Sequence, residues 1–340
     1  MRVSLYRALV PVLCLLPHLA LAQAAPTAQQ QVVPPPQSLL ASMAKAYRSL
    51  DYQGRFLYMY GNELSTLEVR HAVIDGSEFE RLTHLDGPLA ELIREGDEVI
   101  CIHPDRSMTR LSVGAGESLA RLSLHERLAT NLPQQYNVLL DGDGRVAGRA
   151  ALRVRVNPLD NHRYGYRLWI DRDSRLLLKS EMVDSGGVAL ERVEFLALDL
   201  QPSLTREDFA VPNVPMQHAI EALPEPLPGQ PTLEAGWLPA GFVTTQRDLR
   251  RSAPHRLPVA AMAYGDGLAS FTLFVQAIPP GVIAEQGVSR LGPTVAVSRR
   301  VDNTTGSFLL TLVGEVPQAT AERVLGEVRL NGQPIAGAAQ

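Results

Sequence analysis

Three short motifs in the sequence contain residues that could do chemistry, and the first is Asp184-Ser185-Gly186-Gly187. It is similar to the turn that carries the nucleophile of serine hydrolases, where the serine hydroxyl attacks a carbonyl carbon. Val183 stands where that motif requires glycine, and the segment lies between two stretches of alternating hydrophobicity. We therefore expect a hairpin turn here and no nucleophile.

The other two motifs carry closely spaced carboxylates of the kind that bind calcium. They are Asp141-Gly142-Asp143-Gly144 and Asp171-Arg172-Asp173. A calcium loop also needs a third spaced oxygen ligand and a closing glutamate, and neither segment has them. Both fall at the ends of predicted strands, which favours turns over metal sites.

Histidine and cysteine usage also argues against catalysis. The eight histidines are scattered, with no metal-ligand spacing, and no phosphate loop or dinucleotide fingerprint occurs. Cys101 is the only cysteine after residue 22, so no internal disulfide can form. It lies in an apolar stretch typical of a buried strand, which favours an inert core thiol, with intermolecular pairing as the alternative. The sequence predicts no enzyme, no metal and no cofactor.

The first 22 residues have the layout of a secretory signal peptide. Arg2 and Arg7 supply positive charge, an apolar run spans 8–21, and Ala20-Leu21-Ala22 is a small-x-small cleavage site. The run is too short to span a membrane. We expect cleavage after Ala22 and export of the rest of the chain.

Charge restricts the partners of the exported chain. The formal net charge is −4, and removal of residues 1–22 takes two arginines and no acids, leaving 30 basic and 36 acidic side chains. Nucleic-acid binding requires a basic surface, so no nucleic-acid partner is expected.

Composition predicts two folded domains joined by a proline-rich linker. Residues 23–37 are rich in Ala, Gln and Pro, which is typical of a disordered leader. The predicted parts are the signal peptide 1–22, the leader 23–37, a larger β domain 38–211, the linker 212–233, a smaller α+β domain 234–330 and the tail 331–340.

Hydrophobic periodicity predicts the elements. Residues 38–50 have helical spacing with Ser38 as N-cap, residues 117–132 predict a short helix or lid, and a further helix follows Pro317. Period-two segments predict strands near 52–60, 64–73, 77–84, 97–102, 106–111, 136–141, 149–157, 163–171, 175–184, 188–198, 257–264, 268–278, 293–301 and 306–314. Consecutive strands with short turns predict an antiparallel meander. The expected class is α+β: a curved antiparallel sheet, or half-barrel, packed on helices, plus a smaller α+β domain.

The candidate binding residues form two sets. An aromatic ladder on the first strand, with apolar residues of later strands, either packs the core under the helix or lines a pocket for acyl chains or a peptide. This set is Tyr52, Phe56, Tyr58, Tyr60, Leu168, Leu176, Leu178 and Met182. Basic residues of the smaller domain either lie in a solvated loop or form an anion-binding patch for lipid phosphates or an acidic partner. They are Arg247, Arg250, Arg251, Arg256, Arg299 and Arg300.

Several motifs in series resemble the MucB/RseB family. They run from Leu39-Leu40 through Tyr52-Gln53-Gly54-Arg55-Phe56, then Tyr164-Gly165-Tyr166-Arg167-Leu168-Trp169-Ile170-Asp171 with Leu176-Leu177-Leu178-Lys179-Ser180-Glu181, and end with Trp237-Leu238-Pro239-Ala240-Gly241-Phe242 and Tyr264-Gly265-Asp266-Gly267-Leu268-Ala269. The similarity extends over essentially the whole chain after the signal peptide.

The resemblance implies a periplasmic negative regulator of an envelope-stress sigma factor, with a lipoprotein-carrier-like first domain. It implies binding to the periplasmic segment of a membrane anti-sigma factor of the MucA/RseA type, which is thereby shielded from proteolysis. It also implies release by lipid or lipopolysaccharide, and a homodimer. No catalytic residues are carried over.

Two other functions remain open from the sequence. A periplasmic lipid or lipoprotein carrier without a signalling role needs only the first domain. An exported hydrolase is the third reading, and the missing nucleophile–base and metal patterns argue against it.

Overall fold

A computed structural model describes most of the chain after residue 34. The described residues are 35–96, 98–105, 107–112, 124, 127–128, 132, 134–212, 233–251, 258–279, 281–303, 306–330 and 332–334. The predicted signal peptide, most of the leader, most of the 117–132 segment and nearly all of the linker lie outside them.

The first element is helix α1, Pro36–Ser49. It begins two residues before the predicted start, with Pro35 at the N-cap, because Pro36 has a fixed φ suited to the first helical position. The prediction that Ser38 caps the helix was therefore wrong. Its hydroxyl instead donates to the Pro35 carbonyl at 2.8 Å. The buried face of α1 consists of Leu39, Leu40, Met43, Ala44 and Ala46.

Eleven strands form one antiparallel sheet, hereafter the large sheet. In chain order they are β1 (Tyr52–Tyr60), β2 (Glu63–Ile74), β3 (Ser77–His84), β4 (Glu91–Glu95), β5 (Glu98–Ile102), β6 (Met108–Ser112), β7 (Tyr136–Val146), β8 (Arg149–Pro158), β9 (Gly165–Asp171), β10 (Leu177–Val183) and β11 (Ala189–Asp199). Their order across the sheet is β6-β5-β4-β3-β2-β1-β11-β10-β9-β8-β7. The sheet is thus two meanders joined where β1 pairs with β11, and a short 3₁₀ helix, Arg206–Phe209, follows it.

Alternating burial explains why these segments form strands with one apolar face. In β8, Leu152, Val154 and Val156 are buried, while Arg155 between them is exposed. Residues two apart point to the same face, so the apolar row faces the core. The predicted antiparallel arrangement is confirmed.

Two of the chemistry-like motifs lie in hairpin turns, as predicted. The Asp184 carboxylate accepts hydrogen bonds from the Gly186 and Val188 backbone N–H groups, both at 2.9 Å, in the β10–β11 turn. Asp171 accepts two backbone N–H bonds in the same way in the β9–β10 turn. The prediction for residues 141–144 was wrong, because they lie inside β7 at a register shift and not at a strand end. A β-bulge accounts for the extra residues there.

A second antiparallel sheet of six strands, hereafter the small sheet, is built from the C-terminal part of the chain. Its strands are β13 (Val243–Arg251), β14 (Pro258–Gly265), β15 (Ser270–Ile278), β16 (Gly287–Leu291), β17 (Thr294–Asn303) and β18 (Gly306–Gly314). Their order is β13-β14-β15-β18-β17-β16. Helix α2 (Gln318–Gly326) follows, with Pro317 at its N-cap, and β12 (Leu233–Ala235), β19 (Val328–Leu330) and β20 (Gln333–Pro334) form a third sheet of three short strands.

The fold class therefore needs a correction from α+β to mostly β. In the described part of the chain the two sheets account for most residues, and the helices are α1, α2 and the short 3₁₀ turn. None of these described helices has the length and apolar character needed to cross a membrane.

A buried arginine joins the two sheets. Arg163 precedes β9 and is completely buried together with Asp266, with which it forms an ion pair. Its guanidinium also pairs with Asp160 at 2.9 Å and donates to the Ala240 carbonyl at 2.8 Å. Leu268 is buried among side chains of the large-sheet core. The contact between the sheets is therefore specific in both charge and shape.

Two hairpin turns touch at this junction through their backbones. Gly61, in the β1–β2 turn, and Gly292, in the β16–β17 turn, both have positive φ. A Cβ atom built on Gly292 would lie 2.8 Å from the Gly61 nitrogen. Only glycine permits an approach this close.

Candidate ligand-binding cavity

One cavity of about 470 Å³ lies against the large sheet. Its walls include residues of α1 and of the segment that follows β18. They also include residues of eight neighbouring strands of the large sheet, in the spatial order β5-β4-β3-β2-β1-β11-β10-β9. The volume falls within the range typical of sites for small organic ligands, roughly 300–1,000 Å³.

The sheet must bend around this cavity. Cys101 in β5 and Tyr166 in β9 both line it, although seven strand-to-strand steps separate β5 from β9. In a flat sheet these strands would be about 34 Å apart at about 4.8 Å per step. Since both contribute to one cavity, the strands curve toward each other.

Strand β1 runs along the cavity, from Tyr52 at one end to Tyr60 near the other. The separation of these two residues along an extended strand is about 27 Å. Residues that are paired across neighbouring strands have side chains on the same face of the sheet. Every second residue of β1, together with its partners on the neighbouring strands, therefore forms a row of side chains that runs across the sheet on the cavity side.

The middle rows are apolar except for His84, which follows Leu67 in the Phe56 row. Residues that share the Gly54 and Phe56 rows line the cavity and come from both halves of the sheet: Leu67, Val69, Leu82, Leu92, Cys101 and Phe195. Leu176, Leu178 and Met182 add apolar surface from β10 and the residue before it. This surface offers van der Waals contact to a hydrocarbon guest.

The end of the cavity under α1 contains a polar network. The Tyr47 hydroxyl donates to the Glu80 carboxylate at 3.2 Å, and Arg94 pairs with the same carboxylate at 3.0 Å. Burial raises the pKa of both Tyr47 and Tyr52 well above the usual tyrosine value. The phenols are therefore neutral at physiological pH, and the Glu80 charge is neutralised by Arg94.

The same network ties α1 to the sheet. The fully buried His71 contacts the Leu50 carbonyl through Nδ1 at 2.8 Å and Glu78 through Nε2 at 3.1 Å. Burial alone would raise the pKa of Glu78, but hydrogen bonds from His71 and the charge of Arg94 outweigh it, and the pKa is lowered.

The opposite end lies where the two sheets meet. The row that starts at Tyr60 contains Glu191, Met182 and Tyr166, and the last three line the cavity. Glu315, which follows β18 of the small sheet, lines the same end, as does Arg127. Burial raises the pKa of Tyr166, although the Arg127 charge opposes the rise.

Exposed polar residues border the cavity beside β3 and β5. His84 and His103 are exposed and line it with Ala90 between them. The nearby Glu91 carboxylate is paired with Arg81 at 2.7 Å. This side is therefore wetter than the middle rows.

Cys101 differs from its prediction as a core thiol. It lies in a strand as expected, but it is only half-buried and forms part of the cavity wall. Burial raises the pKa of its thiol, so little thiolate forms at neutral pH. Its position makes it a reporter of cavity occupancy.

Six of the eight predicted cavity residues line the cavity: Tyr52, Phe56, Tyr58, Leu176, Leu178 and Met182. The structure places Tyr60 next to it, with its hydroxyl hydrogen-bonded to Thr294 of the small sheet. Leu168 is fully buried in the core and is not part of the wall. The alternatives of core packing and pocket lining thus both occur within one set of residues.

The predicted basic residues do not come together in one place. Arg247, Arg250 and Arg251 lie on β13, and their side chains, like the whole of Arg256, are outside the described part of the chain. Arg299 and Arg300 lie on β17, four steps across the sheet from β13, or about 19 Å. As neighbours in a strand, Arg299 and Arg300 point to opposite faces. Arg300 pairs with Asp302 at 3.0 Å.

Sequence reasoning missed the ionisable wall residues Glu80, Arg127, Glu191 and Glu315. Their positions in the chain are far apart, so no spacing pattern could group them. Local alternation gave no signal for Glu80 either, because Leu82 is the only apolar residue of β3 on the same face.

Within the described residues, no group of His, Cys, Asp or Glu side chains has the arrangement of a metal site. The ionisable groups of Tyr47, Glu80 and Arg94 at the α1 end are paired with one another.

Comparison with known proteins identifies the family. The model of the MucB/RseB N-terminal domain matches residues 35–213, and that of the MucB/RseB C-terminal domain matches residues 229–329. The chain is 36% identical over 299 residues to the sigma factor AlgU regulatory protein MucB of Pseudomonas aeruginosa, covering 85% of this chain and 89% of that protein.

More distant relatives and a solved structure agree. The sigma-E factor regulatory protein RseB of Escherichia coli K12 is 28% identical over 315 residues, covering 89% of this chain and 93% of that protein. A crystal structure of MucB in complex with MucA(peri) superimposes with a TM-score of 0.69 at 33% identity, covering 89% of this chain and 100% of that one. On this coverage the chain belongs to the MucB/RseB family, whose named members are sigma-factor regulatory proteins and not enzymes.

Proposed function

We propose that the chain is a periplasmic negative regulator of an envelope-stress sigma factor. It binds the periplasmic segment of a membrane anti-sigma factor of the MucA/RseA type and shields that segment from proteolysis. The observation that carries this proposal is the similarity to MucB over 85% of this chain, since MucB has been solved in complex with MucA(peri). Export would follow cleavage after Ala22, and the mature chain would act as a homodimer.

We further propose that lipid or lipopolysaccharide releases the partner by occupying the cavity. The apolar middle rows support an acyl-chain guest, since burial of each methylene contributes about 0.8 kcal/mol. The proposed architecture is a lipoprotein-carrier-like half-barrel over 38–211, a linker over 212–233 and a partner-recognising domain over 234–330.

The mechanism is thermodynamic linkage. A lipid that lowers partner affinity tenfold must bind the partner-free form tenfold more tightly than the complex. Tight lipid binding with equal affinity for both forms would release nothing. The property to measure is therefore the difference between the two lipid affinities.

A pull-down from envelope extract tests the proposal, with captured proteins and co-purifying lipids identified by mass spectrometry. We expect a membrane anti-sigma factor among the proteins. Cys101→Trp would fill the cavity and reduce co-purifying lipid, while Cys101→Ser at the same position would not. Thermal unfolding of both variants checks that each is folded.

Two results would count against the proposal. Absence of any anti-sigma factor from the capture would remove the regulatory role. A titration in which lipid leaves partner affinity unchanged would remove the release mechanism and favour a lipid carrier without signalling.

A further inference from the structure

The junction end of the cavity belongs to both sheets. Tyr166, Met182 and Glu191 come from the large sheet, and Glu315 comes from the segment directly after β18. The Glu315 backbone N–H donates to the Ser270 carbonyl at 3.0 Å, which fixes this segment to the small sheet. A guest that fills the cavity to this end therefore contacts both sheets.

Residues at this end also hold the sheets together. Arg127 lines the cavity and donates to the Leu268 carbonyl at 2.8 Å. Tyr60 is the cross-strand partner of Glu191, and its hydroxyl is hydrogen-bonded to Thr294. Arg127 therefore both lines the cavity and contacts the small sheet, and Tyr60, which contacts the small sheet, lies next to the wall residue Glu191.

The junction end differs chemically from the middle of the cavity. It contains the ionisable groups of Arg127, Glu191 and Glu315, whereas the middle rows are apolar except for His84 at the β3 side. Hydrocarbon packed against ionised side chains removes water from around them, and this desolvation opposes the binding of an apolar chain at that end. The junction end is therefore the part of the cavity that is least suited to hydrocarbon.

We propose that the junction end makes the regulator sensitive to acyl-chain length. Chains long enough to reach Glu315 loosen the contact between the two sheets, and shorter chains bind without doing so. This inference rests on the proposed lipid binding and adds the property of the lipid that is recognised.

The chain contains a natural reporter of the junction. Trp237 packs against His162 with ring centroids 5.0 Å apart, and His162 also contacts Thr320 of α2 at 3.2 Å. The chain has two tryptophans, so Trp169→Phe leaves Trp237 as the only one. Its fluorescence then reports the environment of the junction.

The experiment compares octanoate and palmitate on the Trp169→Phe protein with two measurements. The alkylation rate of Cys101 reports cavity occupancy and should fall about elevenfold for either chain at ten times its Kd. Trp237 fluorescence should change with palmitate and stay constant with octanoate.

The two measurements separate the two proposals. If neither chain protects Cys101, the proposed lipid binding fails. If both protect Cys101 and Trp237 responds equally to both, or to neither, lipid binding stands and chain-length sensing is overturned.

A pair of variants tests the role of the charged end. Glu315→Leu makes the end more apolar, so palmitate should still protect Cys101 but change Trp237 fluorescence much less. Glu285→Leu, at an exposed position outside the cavity, should retain the full response. An undiminished palmitate response in a folded Glu315→Leu protein would contradict the mechanism. If that variant does not fold, the chain-length comparison still decides.

Discussion

Replacing Gly292 with alanine should separate two energetic terms at the sheet junction. Gly292 has φ of 55°, and its new Cβ would lie 2.8 Å from the Gly61 nitrogen and 3.1 Å from the Leu190 carbonyl oxygen. The left-handed backbone alone costs alanine about 1–2 kcal/mol. Forcing a methyl group into packed atoms adds about 1–3 kcal/mol. The expected loss in free energy of unfolding is therefore about 2–5 kcal/mol.

Gly96 provides a matched control for the backbone term. Its φ is 56°, and a Cβ there would meet nothing within 4 Å. Gly96→Ala should therefore cost only about 1–2 kcal/mol. Both substitutions reduce the entropy of the unfolded chain equally, so that effect cancels in the comparison.

Urea unfolding monitored by circular dichroism measures both variants. The m-value should stay unchanged, because the surface exposed on unfolding is the same. Equal stability of the two variants would refute the reasoning, since it would mean that the turns of the two sheets do not touch in solution.

Three further changes address the junction and the β9–β10 turn. Arg163→Met leaves the buried Asp266 without its cation and should lower the free energy of unfolding, measured by urea unfolding, by about 3–5 kcal/mol. A double variant that also carries Asp266→Asn should recover part of this loss. Leu268→Ala removes a fully buried side chain and should cost about 2–5 kcal/mol in the same assay, whereas Leu291→Ala at a half-exposed site should change stability by less than about 0.5 kcal/mol. Burial alone would raise the pKa of Asp171, but the hydrogen bonds that its carboxylate accepts outweigh burial, and the pKa is lowered. The ionised carboxylate therefore stabilises the fold, and this stabilisation is fully present above the ordinary carboxyl pKa of about 3.9. The stability difference between wild type and Asp171→Asn should thus be largest near pH 7 and shrink as pH falls through the lowered pKa; a difference independent of pH would contradict this assignment.

Strand positions could be predicted wherever alternation was strong. The strand predicted at 52–60 is observed as Tyr52–Tyr60, and the one at 77–84 as Ser77–His84. Period-two burial decides such segments locally, because one face must leave water.

Strands β4 and β16 could not be predicted. β4 has five residues, and three of them are charged, while all five residues of the edge strand β16 are exposed. Such strands form because a neighbouring strand offers unpaired backbone groups, and this depends on the rest of the sheet. The predicted antiparallel sheet is confirmed, but the class is mostly β and not α+β, because the two sheets hold most of the described residues and the described helices are short.

The cavity could be predicted in composition but not in extent. The aromatic ladder of β1 indicated an apolar surface, and Tyr52, Phe56 and Tyr58 line the cavity. Tyr60 and Leu168 were also predicted to line the cavity, but Tyr60 lies at the junction of the sheets and Leu168 lies in the core. A side chain's surroundings depend on the elements packed against its strand, and the sequence does not show which these are.

By itself the sequence determined that the chain builds antiparallel sheets, lacks the motifs of a catalyst and resembles one family throughout. These properties are local, since they depend on residue types and on the period of hydrophobicity along the chain. Only the tertiary structure decided that β1 pairs with β11, that the large sheet bends around a cavity, and that Glu315 lines one end of it. These contacts join residues more than a hundred positions apart. They form only when the apolar faces of both sheets are buried together, and no pattern in a short stretch of sequence encodes that condition.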